Sequence, residues 1–162
     1  MPEESLLTHV DETGAARMVD VSAKPVSTHR AVAAGRLVTT AEVVALLRGD
    51  ALPKGDALAV ARLAGIMGAK RTPDLVPLCH PIALHRVTVD LEITDTGVEI
   101  VATTRTADRT GVEMEALTAV AVAGLNVIDM VKAVDRAAVI SDVRVLAKSG
   151  GRRGDWVRGG DG

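Results

Sequence analysis

Hydrophobic positions along this chain change period several times, and the changes predict its elements. Thr28 to Thr39 reads as a strand, and Thr39-Thr40-Ala41-Glu42 has capping-box spacing for a short helix ending near Arg48-Gly49. Pro53-Lys54-Gly55-Asp56 breaks the chain, and Asp56 can cap a helix that runs to about Lys70. A loop through Ala69 to Asp74 leads to Leu78-Cys79-His80-Pro81. From Leu84 to Thr94 the pattern alternates, with Val87, Val89, Leu91 and Ile93 on one face and Thr88, Asp90, Glu92 and Thr94 on the other. Asp95-Thr96-Gly97 supplies turn chemistry before a second alternating run, Val98 to Ala107, so the pair predicts a hairpin. Gly111 precedes a helix from Val112 to about Val134, and Val139 to Ala147 forms a last strand. The segments 1–16 and 149–162 are expected to be flexible unless a ligand or partner orders them.

Strand, helices, strand, strand, helix, strand is the order of an α+β, ferredoxin-like (split βαβ) antiparallel sheet with helices packed on one face. At 162 residues the chain is expected to form a single domain. The second sheet face must then be solvated or covered by another subunit. In the long helix, Ala116, Val120, Ala121, Val122, Ala123, Leu125 and Val127 leave hardly any polar stripe, which predicts burial all round. A homo-oligomer supplies that cover, and the N-terminal segment of the same chain is the alternative.

Composition adds constraints. With 48% hydrophobic and 25% charged residues the chain has globular composition, and with no Phe, no Tyr and one Trp its core must be aliphatic. No predicted strand offers an aromatic platform, so an RNA-binding use of this sheet is not expected and no nucleic-acid partner is predicted. A net charge of -2 argues against a general polyanion binder and leaves room for a local basic pocket. The single Cys excludes an intrachain disulfide, and no metal site is predicted. Met1 to Gly14 lacks an apolar signal core, and the longest apolar stretch, Ala116 to Ile128, is 13 residues, short of a membrane span. A cytoplasmic protein without a membrane partner is the expectation.

Candidate chemistry concentrates in two blocks, Leu78-Cys79-His80-Pro81 and Thr110-Gly111-Val112-Glu113-Met114-Glu115-Ala116. Both put titratable groups at the mouths of core elements, where perturbed ionisable groups mark functional sites. Of 19 basic residues 14 are Arg, so the five lysines, Lys24, Lys54, Lys70, Lys132 and Lys148, stand out as compact, tunable ammonium groups. Asp129 and Lys132 share a helix face and can act as a coupled acid/base pair or as a structural ion pair. Glu115 and Asp129 lie on nearly the same face but roughly 21 Å apart along the axis. Either the chain has two sites, or an antiparallel partner helix brings the Glu115 end of one copy to the Asp129 end of another. Cys79 beside His80 suggests a nucleophile or a small packing residue, and His80 an acid/base or a satisfied core histidine.

Met18-Val19-Asp20-Val21-Ser22-Ala23-Lys24, Lys54-Gly55-Asp56, Ala64-Gly65-Ile66, Ala69-Lys70-Arg71-Thr72, Leu78 to Pro81, Thr110 to Leu117, Asp129-Met130 and Ala147-Lys148-Ser149-Gly150-Gly151 together resemble the cyclic pyranopterin monophosphate synthases, the MoaC-type enzymes of molybdenum cofactor biosynthesis. The resemblance runs from about Leu7 to Trp156. It implies a lyase that converts 3′,8-cyclo-7,8-dihydroguanosine 5′-triphosphate to cyclic pyranopterin monophosphate with release of pyrophosphate. It further implies no cofactor, a ferredoxin-like subunit and a hexamer built as a trimer of dimers with the site at a subunit interface. Asp129 is implied as the principal acid/base group, with Lys54, Lys132 and His80 beside it and Lys148 in the pocket. Leu78, Cys79, His80, Met114 and Glu115 are implied to hold the substrate, with Asp20, Lys24, Lys70 and Glu113 in support. Asn126, Ile128, Val131 and Arg152-Arg153 depart from the family pattern beside these groups and leave them in place. The alternative is a non-catalytic ferredoxin-like module that binds a nucleotide or pterin.

Overall fold

In the computed structural model, residues 7–49 and 56–159 are described, so Lys54 lies outside the described residues. Strand β1 (Ser27–Val38) runs through the middle of the sheet, turning His29, Ala31, Ala33 and Leu37 to the core and Arg30 and Arg36 to solvent. It pairs antiparallel with β3 (Gly97–Asp108) on one side and with β4 (Val139–Ser149) on the other. Strand β2 (Arg86–Thr94) extends the hairpin from β3, and the sheet order is β2-β3-β1-β4-β5. The first two strands therefore flank β3, which is the split βαβ arrangement.

Helix α1 (Ala41–Arg48) starts at Thr40, whose hydroxyl accepts from the Val43 amide at 3.3 Å. The expected Thr39–Glu42 box is corrected here, because the Thr39 hydroxyl donates to Asp135 at 2.7 Å and is not free to cap. Asp56 does cap α2 (Ala57–Lys70), accepting from Ala59 at 3.0 Å. Beyond α2, a one-turn helix α3 (Thr72–Leu75) replaces the expected loop. The buried Thr72 hydroxyl donates back to the Ala69 carbonyl at 2.9 Å, and Pro73 suits a helical first turn.

Helix α4 (Glu113–Val131) crosses β1 on its way from β3 to β4. It ends three residues before Val134, since the Val134 and Asp135 amides both turn back to the Val131 carbonyl. Its inner face, Ala116, Ala119, Val120, Ala123, Val127 and Val131, is fully buried. Small residues let α2 approach closely. A Cβ on Gly65 would lie 2.9 Å from the Ala119 carbonyl oxygen, and one on Gly68 would lie 2.8 Å from Val122 Cγ2. Each Val buried here contributes roughly 1.5–3 kcal/mol relative to exposure, so the aliphatic core needs no aromatic filler. Burial all round does not hold within one chain, because Leu125 is 57% exposed. The 19-residue helix is long and apolar enough on length and composition to cross a membrane, which corrects the shorter span counted from sequence, and half of its most apolar window is buried in the fold.

The Gly- and Arg-rich C-terminal segment carries a further short strand, β5 (Trp156–Val157), paired with Ala147 and Lys148. Near the other terminus, residues 7–26 contain only the Val10–Ala16 bridge, and they are tied to the loop before α4 by Arg109, which donates to the Lys24 carbonyl at 2.8 Å.

Candidate active site at the two ends of α4

The turn after α3 delivers the Cys79 block to the start of α4. Cys79 donates its amide to the Val76 carbonyl at 3.0 Å, and its thiol donates to Glu115 Oε1 at 3.5 Å. Glu115 is 1% exposed, and its second oxygen, Oε2, has no hydrogen-bond partner. Burial pushes the Glu115 carboxyl above its ordinary range. Burial, and then the neighbouring carboxylate, push the Cys79 thiol up to about 11. Near neutral pH Cys79 is thus a thiol that orients Glu115, and a thiol is a poor nucleophile.

His80 donates from Nε2 to the Val19 carbonyl. That bond holds the Asp20 turn against the block. The Asp20 carboxyl lies below its ordinary range because Ser22 hydrogen-bonds it, with the nearby His80 adding to the effect. Glu113 folds back over Gly111, where a Cβ would lie 2.3 Å from Glu113 Oε2, so glycine there makes room for the carboxylate. Leu78 is half-buried and Met114 is 41% exposed at the same mouth. Glu113 and Glu115 both occupy the first turn of α4, where the amide dipoles favour a negative charge.

Lys148 belongs to this end. It stands opposite Ala31 on β4, and Ala31 stands opposite Thr104, whose hydroxyl donates to the Val112 carbonyl at 2.9 Å just ahead of α4. The glycines that follow shape its surroundings. Gly150 has φ of +87° and sits where a Cβ would lie 2.0 Å from the Thr28 carbonyl oxygen, so the chain can turn there only with glycine. Lys148 Nζ reaches the Gly150 carbonyl at 3.5 Å.

Asp129 and Lys132 lie at the opposite end of α4. The Lys132 ammonium donates to Asp129 Oδ1, and both side chains are about half exposed, at 56% and 50%. Lys132 is also the C-terminal cap, its amide bonded to Ile128 at 2.9 Å, so its charge complements the negative pole of the helix. One straight helix separates this pair from Glu115 by roughly 21 Å. Lys70 is exposed at the end of α2, on an open depression it shares with Met67, Arg71 and Asp74.

The structure therefore gathers Asp20, the Lys24 segment, Leu78, Cys79, His80, Glu113, Met114, Glu115 and Lys148 at one end and leaves Asp129 and Lys132 at the other. Among the described residues, no three His, Cys, Asp or Glu side chains gather as a metal site would. Sequence reasoning passed over Arg109, which anchors the Lys24 turn to the loop before α4, because nothing in its local pattern distinguishes it from a solvated arginine.

Comparison with known proteins adds a second line of observation. The profile of the MoaC family matches residues 18–151. The chain is 65% identical over 157 residues to a protein of Streptomyces avermitilis named cyclic pyranopterin monophosphate synthase, covering 97% of this chain and 92% of that one. A protein of the same name from Streptomyces griseus is 67% identical over 155 residues, covering 96% and 88%. Cyclic pyranopterin monophosphate synthase 2 of Mycobacterium tuberculosis is 61% identical over 152 residues, covering 94% and 91%.

Proposed function

The chain belongs to the MoaC family, and from that premise we propose that it converts 3′,8-cyclo-7,8-dihydroguanosine 5′-triphosphate to cyclic pyranopterin monophosphate, releasing pyrophosphate, as a cytoplasmic homo-oligomeric lyase. The observation that carries this reading is coverage. The family match spans residues 18–151, and every candidate residue from Asp20 to Lys148 falls inside it.

The residues suit the chemistry. Rearranging a purine-derived ring system needs protons added and removed at several nitrogens and carbons, which calls for acids and bases with different proton affinities. Asp129 and Lys132 form a coupled pair for such transfers, and His80 offers a ring nitrogen not engaged by Val19. Glu115, buried and biased towards its acid form, suits hydrogen bonding to the heterocycle. Closing the cyclic phosphate requires a substrate hydroxyl to attack the α-phosphorus while the bond to the bridging oxygen of the leaving pyrophosphate breaks. Cationic Lys54, Lys132 and Lys148 stabilise the charge that gathers on those oxygens.

A single chain holds Glu115 and Asp129 too far apart for one small substrate, so the site is composite. The Glu115 end of one copy meets the Asp129 end of another across a twofold axis, and a hexamer built as a trimer of dimers repeats that contact. The outward apolar residues Leu63, Met67 and Leu125 support an associating helix layer. Supplying the cyclic dihydro intermediate should yield pyrophosphate and the cyclic pyranopterin product, whereas plain GTP should not. No product from the intermediate would refute the reading.

A further inference from the structure

The face of the sheet that carries no helices distributes its charge unevenly. Near the end where β1 begins, Arg86 stands directly opposite Arg105, Arg105 opposite Arg30, and Arg30 opposite Ser149. Opposed residues on neighbouring strands hold their Cβ atoms about 5 Å apart, so three guanidinium groups share a span of roughly 10 Å. All three arginines are exposed, and none makes an ion pair among the described residues. The next row inward, Thr88, Thr103, Val32 and Ala147, contains hydroxyls and no carboxylate, and Thr28 opposite Ala107 on the outer side adds another hydroxyl.

The far end of the same face is built differently. There Arg36 donates to Glu99 at 2.8 Å and lies 3.8 Å from Asp142, with Glu92 opposite Glu99. Carboxylates thus neutralise Arg36, while Arg144, opposite Ala34, donates to the Asp142 carbonyl at 2.8 Å. Like charges directly opposite one another cost stability, and an uncompensated row of three repeats that cost on each ladder. The planar guanidinium fork suits phosphate oxygens held by two parallel hydrogen bonds. A single small anion would engage one fork, whereas linked phosphates can reach across several strands.

We propose that Arg30, Arg86 and Arg105 form a polyphosphate subsite on the open sheet face, taking either the triphosphate arm of the substrate or the pyrophosphate that leaves it. The assignment of those two sources rests on the synthase reading, while the affinity for linked phosphates does not. The subsite is separate from Lys148 and Lys132, since Lys148 shares the helix side of the sheet with Ala31 and Lys132 caps α4.

Titration calorimetry of the full chain with inorganic tripolyphosphate, and separately with pyrophosphate, tests the subsite at low and high salt. The native chain should bind at least one of them, more weakly as salt rises. The Arg86→Gln/Arg105→Gln variant should lose at least about tenfold in affinity, equivalent to about 1.4 kcal/mol. Removing opposed like charges should leave its melting temperature unchanged or higher, and Arg36→Gln should bind as the native chain does. With the cyclic dihydro intermediate, a tenfold rise in KM in the double variant identifies the triphosphate arm, and loss of pyrophosphate inhibition alone identifies the product. The proposal is overturned if the native chain binds neither polyphosphate, if the double variant binds as tightly as native, or if Arg36→Gln loses as much. It is also overturned if the double variant changes oligomeric state with polyphosphate affinity intact, which would make the row a subunit contact. A chain that binds polyphosphate through these arginines yet forms no product would defeat the synthase reading and leave the subsite standing.

Discussion

The two ends of α4 treat a carboxylate in opposite ways. At the N-terminal end Glu115 is buried, touched by a thiol and left with one orphaned oxygen. At the C-terminal end Asp129 is half exposed and held by the Lys132 ammonium on the pole of the helix that attracts cations. The first environment favours the acid form. The second keeps an ion pair in contact with solvent. One helix of 19 residues holds the two ends apart, so under the proposed function a second copy brings them together.

The largest expected effect lies at the solvated end. Asp129→Asn should stay folded and keep its oligomeric state while its turnover falls by about two to four orders of magnitude, the usual worth of a positioned acid/base group. Unimpaired conversion of the intermediate would remove Asp129 from catalysis.

At the buried end, activity and stability should move in opposite directions. Glu115→Leu replaces an under-bonded buried carboxyl with an apolar group, and should raise the unfolding free energy by about 1–3 kcal/mol while sharply raising KM. A drop in melting temperature would mean that the Glu115 carboxyl is better satisfied than its geometry indicates. The native chain should also show a pH signature that Glu115→Gln lacks. Burial raises the folded carboxyl above its ordinary value of 4.5, so the folded state binds the proton more tightly than the unfolded chain. The stability this confers is complete below 4.5 and is lost as pH rises through the folded value. Denaturation curves across that window should converge for native and Gln variant at high pH only if the carboxyl has no such bias.

The smallest effect belongs to Cys79. With its thiol pushed up to about 11, alkylation by iodoacetamide should be slow at neutral pH and accelerate only in strongly alkaline buffer. Cys79→Ser should keep activity within a few-fold of native, whereas abolished turnover would restore the nucleophile that the geometry argues against.

Much of this fold is legible in the chain because local pattern and global packing agree. The alternation through Val87 to Ile93, the Asp95-Thr96-Gly97 turn and the Asp56 cap all appear where their chemistry predicts. Long-range interactions account for what is not legible. Thr39 fails as a cap because Asp135, 96 residues away in sequence, takes its hydroxyl. The α3 turn depends on the buried Thr72 hydroxyl, and β5 on Arg158, which donates its amide to Leu146 and its guanidinium to Val145. In the candidate site, helical rise anticipated the separation of Glu115 from Asp129. The Cys79–Glu115 contact and the arginine row emerge only from packing and strand register, neither of which is written in local sequence.

Mixing two inactive chains tests the shared site most directly. Asp129→Asn and Glu115→Leu copies, assayed at a substrate concentration where neither turns over alone, should form hybrid pairs after unfolding and joint refolding. In each hybrid pair, one site receives both native residues and the other receives neither. Random pairing makes half the dimers hybrid, so the mixture should recover about a quarter of native turnover per chain if the two ends of α4 meet across a twofold axis. A mixture that remains as inactive as its parents, with subunit exchange shown to be complete, would contradict a site shared between copies.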